Sequence, residues 1–408
     1  MLVTMMPLFD ENLKVTAYSF SSQKRNHFLN PDLLGTGYNS GAGQIPGLES
    51  LENMGIENLP KEAKVFVAVN EISIFAGIEE QSSAPPSRLV ILMDNSVKPT
   101  QEYINRMQDL KNKGYQLAIR KLAVAKFEEY RPVLALVDYV FLDHRRIDIS
   151  KARIYFSKIF PNISLCASGI TNMSEFEKLK EQGGYVYYEG EFYQVPVEDM
   201  SHEVAPLKVN YIQLLNLVNN NDFDLTQAAD VIGRDTALVI SLLKMVNRIA
   251  INSEITSIRH AAAMLGQREL KKWINTAVAG QLYADKPNEI TRLSLIRAKF
   301  VENLAPSFGL AAQASELFLM GLFSVLDVIL EKPMADALEI VKVSKDIKDA
   351  LIHGTGKFAA IREFSSQYED GNWQEVSRLM ILQNIEMEVV NNAYVEAVQW
   401  YHEMMSEE

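Results

Sequence analysis

The chain has 408 residues, 48% of them hydrophobic and 23% charged, enough for two or three domains with separate cores. Its net charge is −12; from Ser201 onward 19 basic residues stand against 27 acidic ones, leaving about −4 for the first half, so neither half is the basic surface that general phosphate-backbone binding demands. The single cysteine, Cys166, excludes a disulfide framework and a thiolate metal cluster, and a reducing cytoplasm is the expected location. At the N-terminus, MLVTMMPLFDEN lacks a basic segment and reaches Asp10 too early for a signal-peptide core. The longest apolar stretch, Leu317 to Leu330, contains Gly321, Ser324 and Asp327 and is too short for a bilayer span, so it reads as a buried helix and no membrane insertion is expected.

In the first half, short runs rich in β-branched and aromatic residues recur: LKVTAYSF, KVFVAVN, RLVILMD, YQLAIRKL, VDYVFLD, ISLCASG and YVYYEGEF. Helical patterns separate them, and the clearest is TQEYINRMQDLKNKG, with Thr100 as cap and Gly114 as terminator. Strands alternating with helices imply parallel βαβ units, and seven or eight of them suggest a (β/α) barrel with its chemistry at the C-terminal ends of the strands. Residues Ser21 to Gly55, rich in Ser, Asn and Gly, break the rhythm and read as an irregular insertion over the barrel mouth.

These motifs, over about Met1 to Pro196, resemble the EAL barrel of cyclic-di-GMP phosphodiesterases, in the shortened form found fused to HDOD domains in bacterial signalling proteins. An active EAL enzyme needs carboxylates and an amide at several strand ends to hold divalent metals, because hard cations take oxygen ligands. On that resemblance Ser19 stands at the signature glutamate, Leu92 and Asn95 at a second pair of glutamates, and Asn70 at the retained metal-binding asparagine. Arg120 and Lys121 replace paired aspartates, Phe141 replaces a lysine beside Asp143, Ser168 and Thr171 replace two further glutamates, and Glu189 replaces a late glutamine. Two cations where carboxylates belong would repel Mg²⁺, so neither metal nor hydrolysis is expected. Arg120 and Lys121 either hold an anion such as phosphate or pair with Asp143, Glu189 or Glu191 to close the barrel mouth.

The segment VEDMSHEVAPLKVN reads as a linker to a helical domain whose first helix begins at about Tyr211. Asp224 can cap a helix over Leu225 to Ile232, Gly233 ends it, and Asp235 can cap a second helix from Thr236. Helix, tight turn, helix also fits a DNA-reading unit, but Leu238, Val239, Leu242, Leu243 and Val246 cover most of the second helix, which favours burial on several sides over a groove-facing surface. The segment ending at Asn247, SIRHAAAMLG from Ser257, and LFLMGLFSVLD from Leu317 together resemble an HDOD domain, an all-helical relative of the HD phosphohydrolases. Helical patterns continue to the closing WQEVSRLMILQNIEMEVVNNAYVEAVQWYHEMM, expected to pack on this second domain. Of six histidines (His27, His144, His202, His260, His353 and His402) none precedes an aspartate, and Ser324 and Val325 fall where an HD enzyme would carry its His-Asp pair. His260 reads as a packed or surface histidine. No P-loop, GxSxG elbow or HExxH motif occurs.

The expected fold is therefore α/β plus all-α: a shortened EAL-type (β/α) barrel over residues 1–200 and an all-helical HDOD bundle over 201–408. The expected function is a cytoplasmic bacterial signalling adaptor, not an enzyme, with no cofactor, no catalytic or metal residues and other signalling proteins as partners. A cyclic-di-GMP sensor or a residual phosphodiesterase is the alternative; nucleic acid is not an expected partner. Asn70, Arg120, Lys121, Asp143 and Glu189 mark the vestigial pocket or anion site at the barrel mouth.

Overall fold

The computed structural model of the protein describes residues 2–23, 45–60, 62–195, 206–220, 223–249, 255–282, 288–341 and 343–405. Eight strands close into a barrel in sequence order: β1 (Leu2–Phe9), β2 (Val15–Gln23), β3 (Lys64–Ala68), β4 (Leu89–Met93), β5 (Gln116–Ile119), β6 (Tyr139–Asp143), β7 (Ser164–Ile170) and β8 (Tyr185–Gly190). The seven runs read as strands are β2 to β8, each parallel to the next. The sequence reading did not single out β1, which runs antiparallel to both β2 and β8. Its sequence, LVTMMPLF, carries two methionines and a proline at its centre, which weakens the strand signal.

That proline locates the weak seam of the barrel. Among the described residues β1 pairs with β8 through Phe9 and Tyr188 alone, so most of its outer edge has no strand partner there. The buried Val3 directs both its N–H and its C=O to that edge, where the Tyr368 hydroxyl meets them at 3.3 and 2.8 Å. Backbone groups alternate sides along a strand, so Pro7, four residues on, faces the same edge with the residue type that has no N–H to satisfy.

Residues 1–195 and 364–399 accordingly form one compact unit, and residues 196–363 with 400–408 form the other. This corrects the expectation that the closing helices pack on the second domain. The physical reason is the β1–β2 hairpin: a short turn, held by Asp10 Oδ1 accepting the N–H groups of Asn12 and Lys14 (2.8 and 2.9 Å), joins its strands and leaves them without a crossover helix between them. The chain beyond residue 364 supplies the missing cover. Trp373 Nε1 donates to Ser21 Oγ at 3.0 Å and Gln23 Nε2 to Ser377 Oγ at 3.0 Å, while Tyr368 is wholly buried.

The stretch read as an irregular insertion is partly regular. Ser21 to Gln23 finish β2, and Pro46–Met54 form a helix on β2 and β3, so close that a Cβ on Gly47 would lie 2.9 Å from Val67 Cγ1. Residues 24–44 of that stretch lie outside the described ones. Inside the barrel, Phe66 packs edge-on against Tyr139, Phe141 and Tyr187, with ring centroids 5.3, 5.4 and 5.7 Å apart. Below them Lys64 Nζ donates to the Tyr139 hydroxyl at 2.9 Å and to Gln116. The interior is filled, which confines any ligand to the mouth.

The described residues of the second unit form helices joined by turns, with no strand among them. Pro206–Val218 begins the series, before the expected start at Tyr211. Asp224 caps Leu225–Ile232 through the Thr226 N–H. Asp235 caps Thr236–Ile249, accepting the Leu238 N–H at 3.0 Å with one oxygen and the Tyr211 hydroxyl proton at 2.7 Å with the other. Burial of that second helix is narrower than expected: Leu238, Leu242 and Val246 form one buried stripe, Val239 and Leu243 are half-buried, and Ile240 is 50% exposed. The apolar segment Ala311–Leu330 is long and apolar enough by composition to cross a membrane, yet it is 72% buried inside the protein. It is broken into Ala314–Leu322 and Leu326–Leu330 at Phe323–Val325. At the break, the buried Arg297 donates to Ser324 Oγ at 2.5 Å, and that hydroxyl donates to the Gly321 carbonyl at 2.6 Å.

Burial pushes the neighbouring Asp327 carboxyl above its ordinary 3.8, against the pull of Arg362 and Arg297. A carboxyl that folding makes harder to ionise stabilises the fold most when protonated, so its contribution is present below about 3.8 and is lost as pH rises through the folded value. Asp327→Asn should therefore gain stability over the parent at pH 7 and lose that advantage at pH 3. Urea unfolding at the two pH values checks this; equal differences at both would contradict it.

Candidate functional site

The C-terminal ends of β2 to β5 surround a cavity of about 480 Å³, within the usual range for small-molecule sites. Of the five residues singled out in the sequence, Asn70, Arg120 and Lys121 line it; Asp143 and Glu189 do not. Phe20, Ser21, Ser22, Ser73, Asp94 and Trp373 complete its polar and aromatic wall.

Asn70 lies two residues beyond the end of β3, where the chain turns into a short helical turn. Its side-chain oxygen accepts the N–H groups of Ile72 and Ser73, both at 2.9 Å, and its own N–H donates to Ser73 Oγ. Two donors fill the lone pairs of that oxygen, so Asn70 serves here as a turn-former rather than as an open metal ligand. Asp94 begins the loop after β4 and accepts the Ser96 N–H at 2.9 Å through one oxygen. Among the described residues no three His, Cys, Asp or Glu side chains converge as a metal cluster.

The adjacent cations after β5 have separate fates. Arg120 Nη2 donates to both oxygens of Glu189, at 2.8 and 3.1 Å, with the guanidinium carbon 5.4 Å from the Phe141 ring centroid. The Glu189 side chain is only 9% exposed, so this is a mostly buried pair spanning the mouth from β5 to β8. The pairing reading of the sequence holds for Arg120 with Glu189. It does not extend to Asp143, which is taken by its own loop: Arg145 at 3.0 Å, with Arg146 beyond, holds that carboxyl below its ordinary value. His144, next along, sits 2.9 Å from the Gly169 carbonyl and 3.3 Å from Glu175.

Lys121 is different. It is exposed, no carboxylate lies within ion-pair distance of it among the described residues, and its φ of +59° is in the left-handed region. That conformation costs a non-glycine residue about 1 kcal/mol or more, and such strain gathers at ligand sites. The cavity thus presents one unpaired cation, several hydroxyl and amide groups, one carboxylate and one indole. Trp373 is the component that the sequence reading missed, and its signal was weak: a single tryptophan after Asp370-Gly371, some 180 residues beyond the last barrel strand.

Comparison with known proteins places these units. Residues 204–346 match the HDOD domain family and lie downstream of the closed barrel in sequence. The cyclic di-GMP phosphodiesterase CdgJ of Vibrio cholerae serotype O1 is 26% identical over 322 residues, which span 78% of this chain and 74% of that protein. YuxH of Bacillus subtilis strain 168 is 26% identical over 368 residues and 88% of each chain. An EAL domain protein from Listeria monocytogenes EGD-e superposes on 47% of this chain and 86% of its own with 14% identity and a TM-score of 0.36. The expectation that the chain is not an enzyme is corrected by the first of these, since a relative aligned over most of the chain is named as a phosphodiesterase. Counting lost motifs is a poor test of turnover, because a slip of one position along a strand moves every compared side chain to the opposite face.

The Arg120–Glu189 pair generates a test of the mouth's construction. Arg120→Ala leaves the Glu189 charge buried without its partner and should cost about 3 kcal/mol or more, whereas Glu189→Gln added to that variant should restore much of the loss. Urea titrations of the parent and the two variants measure both effects. Unchanged stability of Arg120→Ala would show that the pair does not hold the mouth.

Proposed function

We propose that this protein works in cyclic-di-GMP signalling, that its barrel mouth takes the dinucleotide, and that its HDOD domain engages protein partners. The observation that carries the reading is the unpaired, conformationally strained Lys121 at the edge of a nucleotide-sized cavity. A cyclic dinucleotide has two phosphates, which call for cations and N–H or O–H donors, and two purine faces, which call for a flat apolar surface. Lys121 answers the first need, with Arg120 near it; Ser21 and Ser73 add hydroxyl donors. The remaining oxygen of Asp94 can accept from the guanine amino group, a donor that adenine does not present at that position. The naming of CdgJ supports the same ligand class and extends the reading to phosphodiester hydrolysis.

Affinity and turnover are measured together: the purified full chain is titrated with cyclic di-GMP by calorimetry, then incubated with it in Mg²⁺ and in Mn²⁺ and the products are resolved by chromatography. The parent is expected to bind. Lys121→Ala should weaken binding about tenfold, the effect of losing one exposed charge-assisted contact, and the loss should shrink as salt is raised. A parent that neither binds nor hydrolyses cyclic di-GMP sinks the reading.

A further inference from the structure

Trp373 reaches the cavity from a part of the chain that lies beyond the HDOD domain in sequence. Four features hold it there. The indole Nε1 donates to Ser21 Oγ at 3.0 Å, which fixes the ring plane against β2. The buried Tyr368 ring stands edge-on to it at 5.3 Å and 85°. Asn372 caps the helix Trp373–Gln383 by accepting the Glu375 N–H. Two residues before the tryptophan, Gly371 has a φ of +64°, which favours glycine, and packs so near the strand that a Cβ would fall 2.9 Å from Ser21 Oγ.

So closely specified a side chain would be expected to be buried if its purpose were packing alone, yet Trp373 is only half-buried and lines the cavity. Arg120 and Lys121 belong to the same lining. A cation for a phosphate and an indole for a base are the two parts of a sequence-tolerant nucleotide site, since every base offers a π face.

We propose that Trp373 is the base-stacking residue of the barrel-mouth site, so that the site is built jointly by the barrel strands and by chain that follows the HDOD domain. The proposal rests on the nucleotide reading above and adds to it the residue that converts an anion site into a nucleotide site. It separates this tryptophan from a plain structural role, in which it would seal the edge of β2 and contribute nothing to the ligand.

The test uses the full chain and two ligands, cyclic di-GMP and inorganic pyrophosphate, which keeps the charge but has no base. Trp373→Leu should weaken cyclic di-GMP roughly tenfold or more and leave pyrophosphate affinity unchanged, the signature of a lost stacking contact. Trp373→Phe keeps a π face and should bind the dinucleotide within about threefold of the parent. Melting temperatures without ligand report whether each variant is folded, and where leucine unsettles the fold, the phenylalanine variant decides. A folded Trp373→Leu that binds cyclic di-GMP like the parent, or a folded Trp373→Phe that has lost it, overturns the assignment. If Lys121→Ala weakens binding while Trp373→Leu does not, the nucleotide reading stands and this assignment alone falls; if the parent binds no dinucleotide, both fall.

Discussion

One hydroxyl group shows what the barrel depends on. The phenol of Tyr368 accepts from the Val3 N–H and donates to the Val3 carbonyl, satisfying both backbone groups of a buried residue on a strand edge that β8 leaves open. An unpaired edge in a buried setting is costly twice, through unsatisfied polar groups and as a template for association. Here the cost is avoided by chain more than 360 residues away in sequence. The same stretch places Gly371 against Ser21 and Ser377 against Gln23, so the cover follows the open end of the β1–β2 hairpin rather than touching it at one point.

The mouth inherits its character from this arrangement. Aromatic side chains fill the barrel interior, and Cys166 among them is wholly buried, its thiol pushed well above its ordinary value by burial. That sulfur is inert structure. What remains for chemistry is the rim, where Arg120 is committed to Glu189 and Lys121 is not. Adjacent residues of the same charge therefore do different things, because the backbone bonding to β4 ends between them: Arg120 N, just past β5, still donates to the Met93 carbonyl, whereas Lys121 has left the ladder in a left-handed turn.

Much of this was legible in the sequence where signals are local. The alternation of branched and aromatic residues gave seven strands, and Asp224, Gly233 and Asp235 gave a helix–turn–helix with its caps, because capping and strand propensity act within a few residues. The candidate residues Asn70, Arg120 and Lys121 came from the resemblance to EAL barrels, and all three line the cavity at the strand ends. Three things were not legible. β1 hides behind methionines and Pro7, whose suitability depends on an edge that only the closed barrel reveals. The partition of charges, Glu189 to Arg120 and Asp143 to Arg145, is decided by a few ångströms across different strands. The allegiance of residues 364–399 rests on Tyr368, Trp373 and Ser377 meeting particular atoms of β1 and β2, a long-range match that amphipathic periodicity cannot express.

The central claim is that the barrel is completed by chain from beyond the HDOD domain, and fragment complementation tests it most directly. Residues 1–195 are prepared alone and, separately, joined to residues 364–399 through a flexible linker in place of the intervening domain, and each is unfolded in urea while near-ultraviolet circular dichroism follows the barrel's aromatic packing. The account predicts a single cooperative transition for the joined protein and none for residues 1–195 alone. A cooperative transition of equal midpoint in both would contradict it.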